Sequence, residues 1–480
     1  MILQKERIIP LVILSFSFSN FRAFKDVQTL NFDAGKADKE LAGNCFTPEL
    51  PGQKEASFVK AVALYGANAS GKSSVLDALK CLATWVAGSA NIVDPEDPIT
   101  GIEPFALSPG GAAEPTAFAI VFITGGLRYE YRVAATREQI FHESLRAFPT
   151  AKAQVWFSRD WSEEKQRYEW TPDRPSGYQP DAKMREFTLP NVLFLSKAIS
   201  LGDVQLEPIY RWFKEGIRFF DLSVQMRGVD NEFTVQEFEK DSALSRQVVA
   251  LLSHADIGVI GAELPERDEA LDLMFSEIWN SIKDGEGRVE QLFEELKKAD
   301  FSRYLEEFRK RKPSRTSGPA NRIKLLHRSK DGESVALPWS AESAGTRRLF
   351  TLAGPLLNIL RKGQVVCIDE LDTSIHPKMV CEILRLVFNA ETNPGGAQIL
   401  FTTHNPLLLD PTLLRRDQVW FTEKDAAGES HLYPLTDFHP RKDESWARGY
   451  MAGRYGGIPY IPHGLLGSPE ELQSEPGEDS

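Results

Sequence analysis

The chain has 480 residues, of which 42% are apolar and 26% charged, so it can bury a large core without disulfide or metal support. Its formal net charge of −12 excludes binding to bulk nucleic acid through overall charge and restricts any such contact to a local basic surface. The four cysteines have neither paired nor metal-ligand spacing, which favours a reducing compartment, and we expect the cytoplasm; they are Cys45, Cys81, Cys367 and Cys381.

The N-terminal segment places basic residues before an apolar run, a pattern that superficially resembles a secretory signal. Pro10 interrupts the run, and residues 14–18 alternate apolar side chains with serine as a β-strand does. We therefore predict a first strand there. No other stretch approaches the roughly 20 apolar residues that cross a bilayer, so we predict no membrane embedding.

A glycine-rich loop follows the next predicted strand. The apolar segment Phe58 to Tyr65 leads into GANASGKS at residues 66–73, and a helix is predicted from Ser73 to Thr84. The loop matches the pattern G-x-x-x-x-G-K-[ST] in its strand–loop–helix context, and chance produces that pattern in roughly one chain in fifty to a hundred of this length. The alternative is an ordinary glycine-rich turn.

Each residue type in this loop suits the binding of phosphate. Glycines let successive backbone N–H groups point at phosphate oxygens, and the following helix adds its positive end. Lys72 can neutralise charge on the β- and γ-phosphates, and Ser73 offers a hydroxyl to Mg²⁺. The candidate nucleotide-binding residues of the loop are Gly66, Asn68, Ala69, Ser70, Gly71, Lys72, Ser73 and Ser74.

Residues 1–100 are assigned to the first part of the core. Two regions with different sequence patterns follow it. Short β-rich pieces separated by Gly-Gly turns predict an antiparallel β-arm at residues 101–200. Apolar residues at three- and four-residue spacing from Leu206 to about Arg311 predict an inserted helical domain at residues 201–320. Its last part carries dense mixed charge, and residues 312–319 form a loop by composition.

The segment at residues 321–440 alternates predicted strands and helices. Strands resume from Arg322, and the later elements are a helix at 346–362, a strand at 365–368, a helix at 377–388 and a strand at 398–401. This alternation indicates parallel strands with crossover helices. Both ends of the sequence are therefore predicted to build one α/β sheet, and residues 441–480 form a C-terminal tail.

Two carboxylates end the predicted strand at residues 365–368. Asp369 can hold Mg²⁺, directly or through water, and Glu370 can polarise an attacking water. In isolation such a strand is more often a plain buried strand with a charged end. The phosphate loop earlier in the chain favours the catalytic interpretation.

A turn of small residues opens the helix that precedes these carboxylates. Residues 342–346 read Glu-Ser-Ala-Gly-Thr, which places a free hydroxyl and backbone donors at a helix N-terminus, where anions bind. The alternative is simple helix capping by Ser343. The position of the turn shortly before Asp369 favours the anion-binding interpretation.

In this order the motifs resemble those of ABC-type ATPases of the OLD and SMC-like branch. The motifs are the phosphate loop, ESAGT at 342–346, VCIDE at 366–370, LDTS at 371–374 followed by His376-Pro377, and FTTHN at 401–405; NFRAF at 20–24 also resembles the first-strand signature. The resemblance implies an ABC-type ATPase core that uses ATP and Mg²⁺. The β-arm and the helical domain are then insertions in that core.

The resemblance also implies roles for residues outside the phosphate loop. Ser343 and Gly345 would contact the γ-phosphate from a facing subunit, Asp372 would belong to the dimer-contact loop, and His404 would be the switch histidine near the γ-phosphate. A homodimer or a higher homo-oligomer with composite ATP sites follows. The sequence departs from the family pattern in having ESAGT instead of LSGGQ, and we identify no glutamine loop.

The tail at residues 446–459, WARGYMAGRYGGIP, resembles the ending of single-chain bacterial ATPases encoded beside a separate nuclease or toxin. These include RloA-like proteins and the ATPase of the PARIS anti-phage system. The tail is either a packed segment with glycine turns or a docking element for such a partner.

Three functions share these motifs. We expect an ATP-hydrolysing regulatory or sensor subunit of a bacterial anti-phage defence system that controls a separately encoded nuclease or toxin effector. The alternatives are an SMC-like ATPase in DNA repair or DNA structure, and a nucleotide-gated scaffold with little turnover. The stretch from Leu206 to Arg311 is too short and too interrupted for the long heptad arms of SMC proteins.

A basic run at residues 309–312, together with Arg315, is the best candidate for contact with nucleic acid. Because this run ends a predicted helix, the helix dipole alone accounts for its positive charge.

Overall fold

The structure is a computed structural model that describes most of the chain. The described residues are 11–35, 41–50, 52, 55–108, 110–111, 113–171, 177–221, 232–240, 242–255, 258–264, 323–441 and 443–459. The chain forms two compact units, one comprising Met1–Leu222 and Ile359–Ser480 and the other Ser223–Asn358. Among the described residues, no helix combines the length and the apolar character of a membrane span.

The elements are numbered along the chain. The strands are β1 (Val12–Ser19), β2 (Gln28–Asn31), β3 (Cys45–Phe46), β4 (Phe58–Val59), β5 (Ala61–Gly66), β6 (Thr116–Thr124), β7 (Leu127–Ala135), β8 (Ile140–Phe148), β9 (Gln154–Ser162), β10 (Arg167–Thr171), β11 (Ile217–Asp221), β12 (Val259–Glu263), β13 (Lys324–Arg328), β14 (Ser334–Pro338), β15 (Val365–Asp369), β16 (Gln398–Thr402), β17 (Val419–Lys424) and β18 (Ser430–Pro434). The helices are α1 (Lys72–Gly88), α2 (Ala182–Glu186), α3 (Phe194–Ser200), α4 (Glu207–Arg211), α5 (Glu232–Glu239), α6 (Ala243–Ala255), α7 (Ala344–Lys362), α8 (Pro377–Phe388) and α9 (Trp446–Met451).

Strands from both ends of the chain form one six-stranded sheet in the first unit, with the order β11-β15-β16-β5-β17-β18. The strands pair in parallel from β11 to β17, and β18 adds an antiparallel edge. Every residue of β5 is buried, as expected for a central parallel strand with both faces covered. The prediction of one α/β sheet built from both ends is therefore confirmed.

A seven-stranded antiparallel sheet with the order β10-β9-β8-β7-β6-β1-β2 lies in the same unit. Strands β6 and β7 form a hairpin in which Thr124 pairs with Leu127, so the Gly-Gly pair at 125–126 makes the turn. This is the antiparallel arm that the sequence predicts. The first strand of the chain, β1, pairs with β6 and so belongs to the arm's sheet and not to the parallel sheet.

One continuous apolar core joins residues of both sheets with helix α1. The helix buries Val75, Leu79, Leu82 and Val86, which recur at the three- and four-residue spacing of one helical face. Full burial of a side chain of this size stabilises the fold by about 1.5–3 kcal/mol. This packing fixes the N-terminus of α1, and with it the loop that precedes the helix.

The second unit contains the antiparallel sheet β12-β13-β14, helices α5 and α6, and most of α7. Strand β13 is central and has backbone partners on both sides. The Phe350 ring of α7 contacts the Phe238 ring at 5.7 Å and the Trp339 ring at 5.2 Å between centroids. These contacts pack the start of α7 within its own unit.

The region predicted as an inserted helical domain after Leu206 contains helices α5 and α6 and also two strands that the sequence did not predict. Strands β11 and β12 interrupt that region, and β11 joins the parallel sheet beside β15. Each strand has five residues, which is too short for its alternating pattern to outweigh the helical spacing around it. The charged stretch at 286–312, the basic residues at 309–315 and the loop at 312–319 lie outside the described residues.

Candidate functional site

The glycine-rich loop connects the central strand β5 to helix α1. Gly71 precedes the helix with a φ of 104°, and a β-carbon at this position would lie 2.8 Å from the Phe24 ring. Only glycine satisfies both conditions. At the start of the loop, Gly66 lies against Ser70 and Thr422, whose hydroxyls share a 2.6 Å hydrogen bond. The loop is therefore held by β17 as well as by β5.

Lys72 is 6% exposed, and its ammonium donates hydrogen bonds to the carbonyl oxygens of Gly66 at 2.9 Å and Ala67 at 2.8 Å. Burial lowers the pKa of Lys72 to about 8, against the opposing effect of the carboxylates of Asp369, Glu370 and Asp372. Because the Lys72 ammonium has little contact with water, an anionic neighbour would stabilise its charge. A phosphate bound at the loop would therefore raise the pKa of Lys72 again.

Asp369 and Glu370 lie where strand β15 ends. The Oδ1 atom of Asp369 accepts a 2.6 Å hydrogen bond from the Thr402 hydroxyl, and the same hydroxyl oxygen accepts from the Glu370 N–H at 2.7 Å. Glu370 has a left-handed φ of 52°, so the chain leaves the strand direction there. The Thr373 hydroxyl donates to the Glu370 carboxylate at 3.0 Å. Asp369 is thus attached to β16, whereas Glu370 begins the loop.

His404 follows β16 at the same edge of the sheet. Burial lowers the pKa of its imidazole and the charge of Lys72 lowers it further, while the carboxylates at 369–372 act in the opposite direction. The lowered pKa favours the neutral imidazole. Asp372 Oδ1 is buried without a hydrogen-bond partner among the described residues. The first unit thus brings together Lys72, Asp369, Glu370, Asp372 and His404.

A cleft of about 410 Å³ opens beside the first turn of α1. Its walls include three cations, which are Lys72 of the phosphate loop, Arg22 and Lys424, and two large apolar side chains, Phe105 and Leu107. An ion pair with Glu103 at 2.9 Å holds the Arg22 guanidinium. Cations, a helix N-terminus and an apolar wall together fit the phosphates and the ring system of a nucleotide. The sequence indicated the wall residues of the phosphate loop and, through the NFRAF motif, Arg22, but it gave no signal for Phe105, Leu107 or Lys424.

The remaining loop residues lie at the same end of α1. Ala69, Ser73 and Ser74 border the cleft, and Asn68 is exposed at the tip of the loop. Across the described part of the chain, no three His, Cys, Asp or Glu side chains are grouped so as to hold a metal ion by themselves. Mg²⁺ at Ser73 and Asp369 would therefore need phosphate oxygens and water as further ligands, which is its usual coordination in nucleotide sites.

The ESAGT turn lies in the second unit, where it begins helix α7. The Ser343 hydroxyl accepts a 3.0 Å hydrogen bond from the Thr346 N–H, so Ser343 caps this helix. Ser343 is exposed, and Gly345 is half-buried in the first turn. The preceding Glu342 is buried, and its carboxylate lies 2.9 Å from His327 Nε2. Capping is thus observed, and binding of an anion at this turn stays a prediction.

The C-terminal tail packs against the strands that carry the phosphate loop. The Tyr450 ring meets the Tyr65 ring at 5.6 Å between centroids, and the Tyr455 ring stacks on Phe421 at 5.8 Å. The close approach of Gly457 would place an added β-carbon 3.5 Å from the α-carbon of Gly66. The described tail residues are therefore packed, and docking of a partner stays a prediction.

Comparison with known proteins finds a matching family and a number of similar solved structures, including two SMC head domains. The family described as "AAA domain, putative AbiEii toxin, Type IV TA system" matches residues 61–189 and 264–410, more than half of the chain. A search of curated proteins finds no match. The SMC head domain of Pyrococcus furiosus, with an extended coiled coil and bound to the C-terminal domain of ScpA, shares 12% identity over 88% of this chain and 96% of that chain, with a TM-score of 0.34. The SMC head domain from Thermotoga maritima shares 12% identity over 88% of this chain and 98% of that chain, with a TM-score of 0.35.

Proposed function

We propose that the chain, which belongs to the AAA domain family matched above, binds and hydrolyses ATP with Mg²⁺. One observation carries the proposal. The buried ammonium of Lys72 shares its electrostatic surroundings with the carboxylates of Asp369, Glu370 and Asp372 and with His404, at the edge where β5, β15 and β16 end.

The phosphate loop supplies the binding step. Lys72 exchanges its two carbonyl partners for oxygens of the β- and γ-phosphates, and the first turn of α1 adds N–H donors. Ser73 and Asp369 would hold Mg²⁺, which would offset the negative charge that grows on the phosphates during transfer. The cleft beside Phe105 and Leu107 takes the ring system of the nucleotide.

Hydrolysis then depends on the residues after β15 and β16. Glu370 lies at the start of the loop after β15, where its carboxylate can reach the attacking water. In this position it orients the water and accepts its proton. His404, whose lowered pKa favours the neutral imidazole, donates a hydrogen bond to the γ-phosphate. Water attacks the γ-phosphorus, the bond to the β–γ bridging oxygen breaks, and ADP and phosphate leave.

A complete site requires two chains. One chain carries one phosphate loop and one ESAGT turn, and by the ABC-type resemblance these contact the same nucleotide from opposite subunits. Ser343 and Gly345 of one chain would face the γ-phosphate held by Lys72 of the other, with Asp372 in the contact between the chains. A two-fold pair completes both sites through one self-complementary surface.

ATP-dependent pairing tests this proposal. The Glu370→Gln protein should double its mass in light scattering when Mg-ATP is added, since it binds nucleotide but hydrolyses it slowly. Ser343→Arg, which places a bulky charge in the facing turn, should stay at the mass of one chain. If every variant keeps one mass with and without Mg-ATP, the composite site is wrong.

The biological role we infer is regulation of a separately encoded nuclease or toxin in bacterial anti-phage defence, in the cytoplasm. The family description names a toxin and a TA system, and the tail resembles those of ATPases encoded beside an effector. An effector encoded beside the gene should copurify with the full chain but not with a chain lacking residues 446–480. If duplex DNA binds the chain and accelerates hydrolysis while no such effector binds, the DNA-repair alternative is correct.

A further inference from the structure

The turn that carries Ser343 has one side chain directed into its own unit. After β14 the chain makes a short helical turn at Trp339–Ala341 and reaches Glu342, which is 6% exposed. The Glu342 carboxylate lies 2.9 Å from Nε2 of His327 on β13. The next residue, Ser343, is exposed. The buried Glu342 thus connects an exposed functional turn to the sheet below it.

His327 is placed to act as an anchor. It lies on the central strand β13, where its backbone is paired with Val259 of β12 and with Val335 of β14. A buried carboxylate needs a hydrogen-bond donor because its charge has lost contact with water. Nε2 of His327 lies within hydrogen-bonding distance of this carboxylate and can donate to it from a strand that is fixed on both sides.

We propose that His327 is a positioning residue for the ESAGT turn. By holding Glu342, it sets the place from which Ser343 and the first N–H groups of α7 reach a nucleotide bound to the facing subunit. The inference rests on the composite site proposed above. Ser343 itself bonds to Thr346 within its own helix, which orders the helix end but does not connect it to the sheet.

Two substitutions at position 327 separate positioning from folding. Glutamine keeps an N–H donor near the place of Nε2, whereas leucine has a similar size and no donor. His327→Leu should lower kcat by roughly 100-fold, because small misplacements of a reacting group have effects of that size, and should leave the ATP affinity of the phosphate loop unchanged. His327→Gln should recover most of kcat. Equal rates for the two variants would overturn the proposal.

A third variant removes the contact from the other side. Glu342→Leu leaves no unpaired buried charge and should therefore fold even if His327→Leu does not. Its expected phenotype is the same: unchanged ATP affinity and low kcat. Wild-type kcat in Glu342→Leu would show that the contact does not position the turn.

Mixed dimers decide in which half of the site His327 acts. Each site combines the phosphate loop of one chain with the ESAGT turn of the other. A mixed pair of one Glu370→Gln chain and one His327→Leu chain therefore has one site with both defects and one intact site. Hydrolysis by the mixture should rise above that of either variant alone. Glu370→Gln with Lys72→Ala should not recover, because both residues belong to the same half. Glu370→Gln with Ser343→Ala is the positive control.

The mixtures also separate this inference from the function on which it rests. Recovery with Ser343→Ala but not with His327→Leu would overturn the role of His327 and leave the composite site standing. Absence of recovery in both mixtures would overturn the composite site, and the role of His327 with it.

Discussion

The phosphate loop and the ESAGT turn are both small-residue segments at the start of a helix, yet they are held in different ways. The phosphate loop packs within a buried core, with Gly66 and Ser70 against Thr422 of β17 and Gly71 against the Phe24 ring. Steric fit therefore determines the conformation of the loop. The ESAGT turn is exposed at Ser343, and its side-chain contacts include the helix cap, the bond between the Ser343 and Thr346 hydroxyls, and the contact of Glu342 with His327. In the composite site proposed above, the half with the phosphate loop would be held by packing and is called the packed half, whereas the half with the ESAGT turn would depend more on polar contacts.

The largest expected effect lies on the packed half. Glu370→Gln should slow hydrolysis by roughly 100- to 10,000-fold, because a carboxamide cannot accept the proton of water, and should change ATP affinity little. Steady-state phosphate release and nucleotide titration measure the two quantities. Glu382→Gln, which alters an exposed carboxylate on α8, is the matched control and should behave as wild type. Wild-type turnover in Glu370→Gln would assign the water to another residue.

Lys72→Ala should come next in size. In the proposed site the buried ammonium would bond to two phosphates, so its loss should weaken ATP binding by roughly 100-fold or more, at about 1.5–3 kcal/mol for each charged hydrogen bond. Calorimetric titration measures the affinity. Lys80→Ala removes an exposed lysine from the same helix and should leave the affinity as it is. An unchanged affinity in Lys72→Ala would reject the phosphate-loop assignment.

The buried position of Lys72 also predicts a pH dependence. Its pKa of about 8 in the free protein lies below the usual 10.5, and bound phosphate raises it, so binding takes up a proton above pH 8. The dissociation constant for ATP should therefore be nearly constant below pH 7.5 and rise about tenfold per pH unit above 8. Lys72→Ala should lack this rise. A flat profile to pH 9.5 in the wild type would contradict the shifted pKa.

Stability measurements compare the two halves directly. Gly71→Ala forces a residue with a β-carbon into a positive φ against the Phe24 ring and should lower the free energy of unfolding by about 2–3 kcal/mol. Ser343→Ala removes a helix cap and should lower it by about 1 kcal/mol. Urea denaturation measures both. Equal effects would mean that the two segments are held alike.

The smallest effect should come from the tail beside the packed half. The Tyr455 hydroxyl is buried without a hydrogen-bond partner among the described residues, so Tyr455→Phe should leave stability unchanged or raise it by up to about 1 kcal/mol. Tyr450 donates to the Gly457 carbonyl at 3.1 Å, so Tyr450→Phe should cost about 1 kcal/mol. Thermal denaturation with and without ATP compares the pair. A marked loss in Tyr455→Phe would reveal a partner for that hydroxyl.

Local rules in the sequence predict much of the first unit. Helix α8 begins and ends where predicted, because His376 caps it, a proline occupies its first turn, and its apolar residues keep one face. The phosphate loop and the two carboxylates after β15 carry their signal within a few residues. These features need no knowledge of distant segments.

Contacts between distant segments were not predictable in the same way. The cleft wall combines Arg22, Phe105, Leu107 and Lys424, which only the packing of the two sheets brings to one place. The bond between His327 and Glu342 depends on how the short turn after β14 reverses the chain. Strand β11 joins the parallel sheet although its five residues carry little alternating pattern of their own.

The central place of β5 has a consequence for synthesis of the protein. Its neighbours in the sheet are β16 and β17, and the bond between Tyr65 and Asn405 spans 340 positions. At roughly 5–20 residues per second, the ribosome needs tens of seconds to make the intervening chain, during which an apolar strand lacks its partners. A nascent chain therefore carries the whole phosphate loop without a nucleotide site. ATP binding should appear late in translation, and chaperones have the opportunity to bind this strand before its neighbours do.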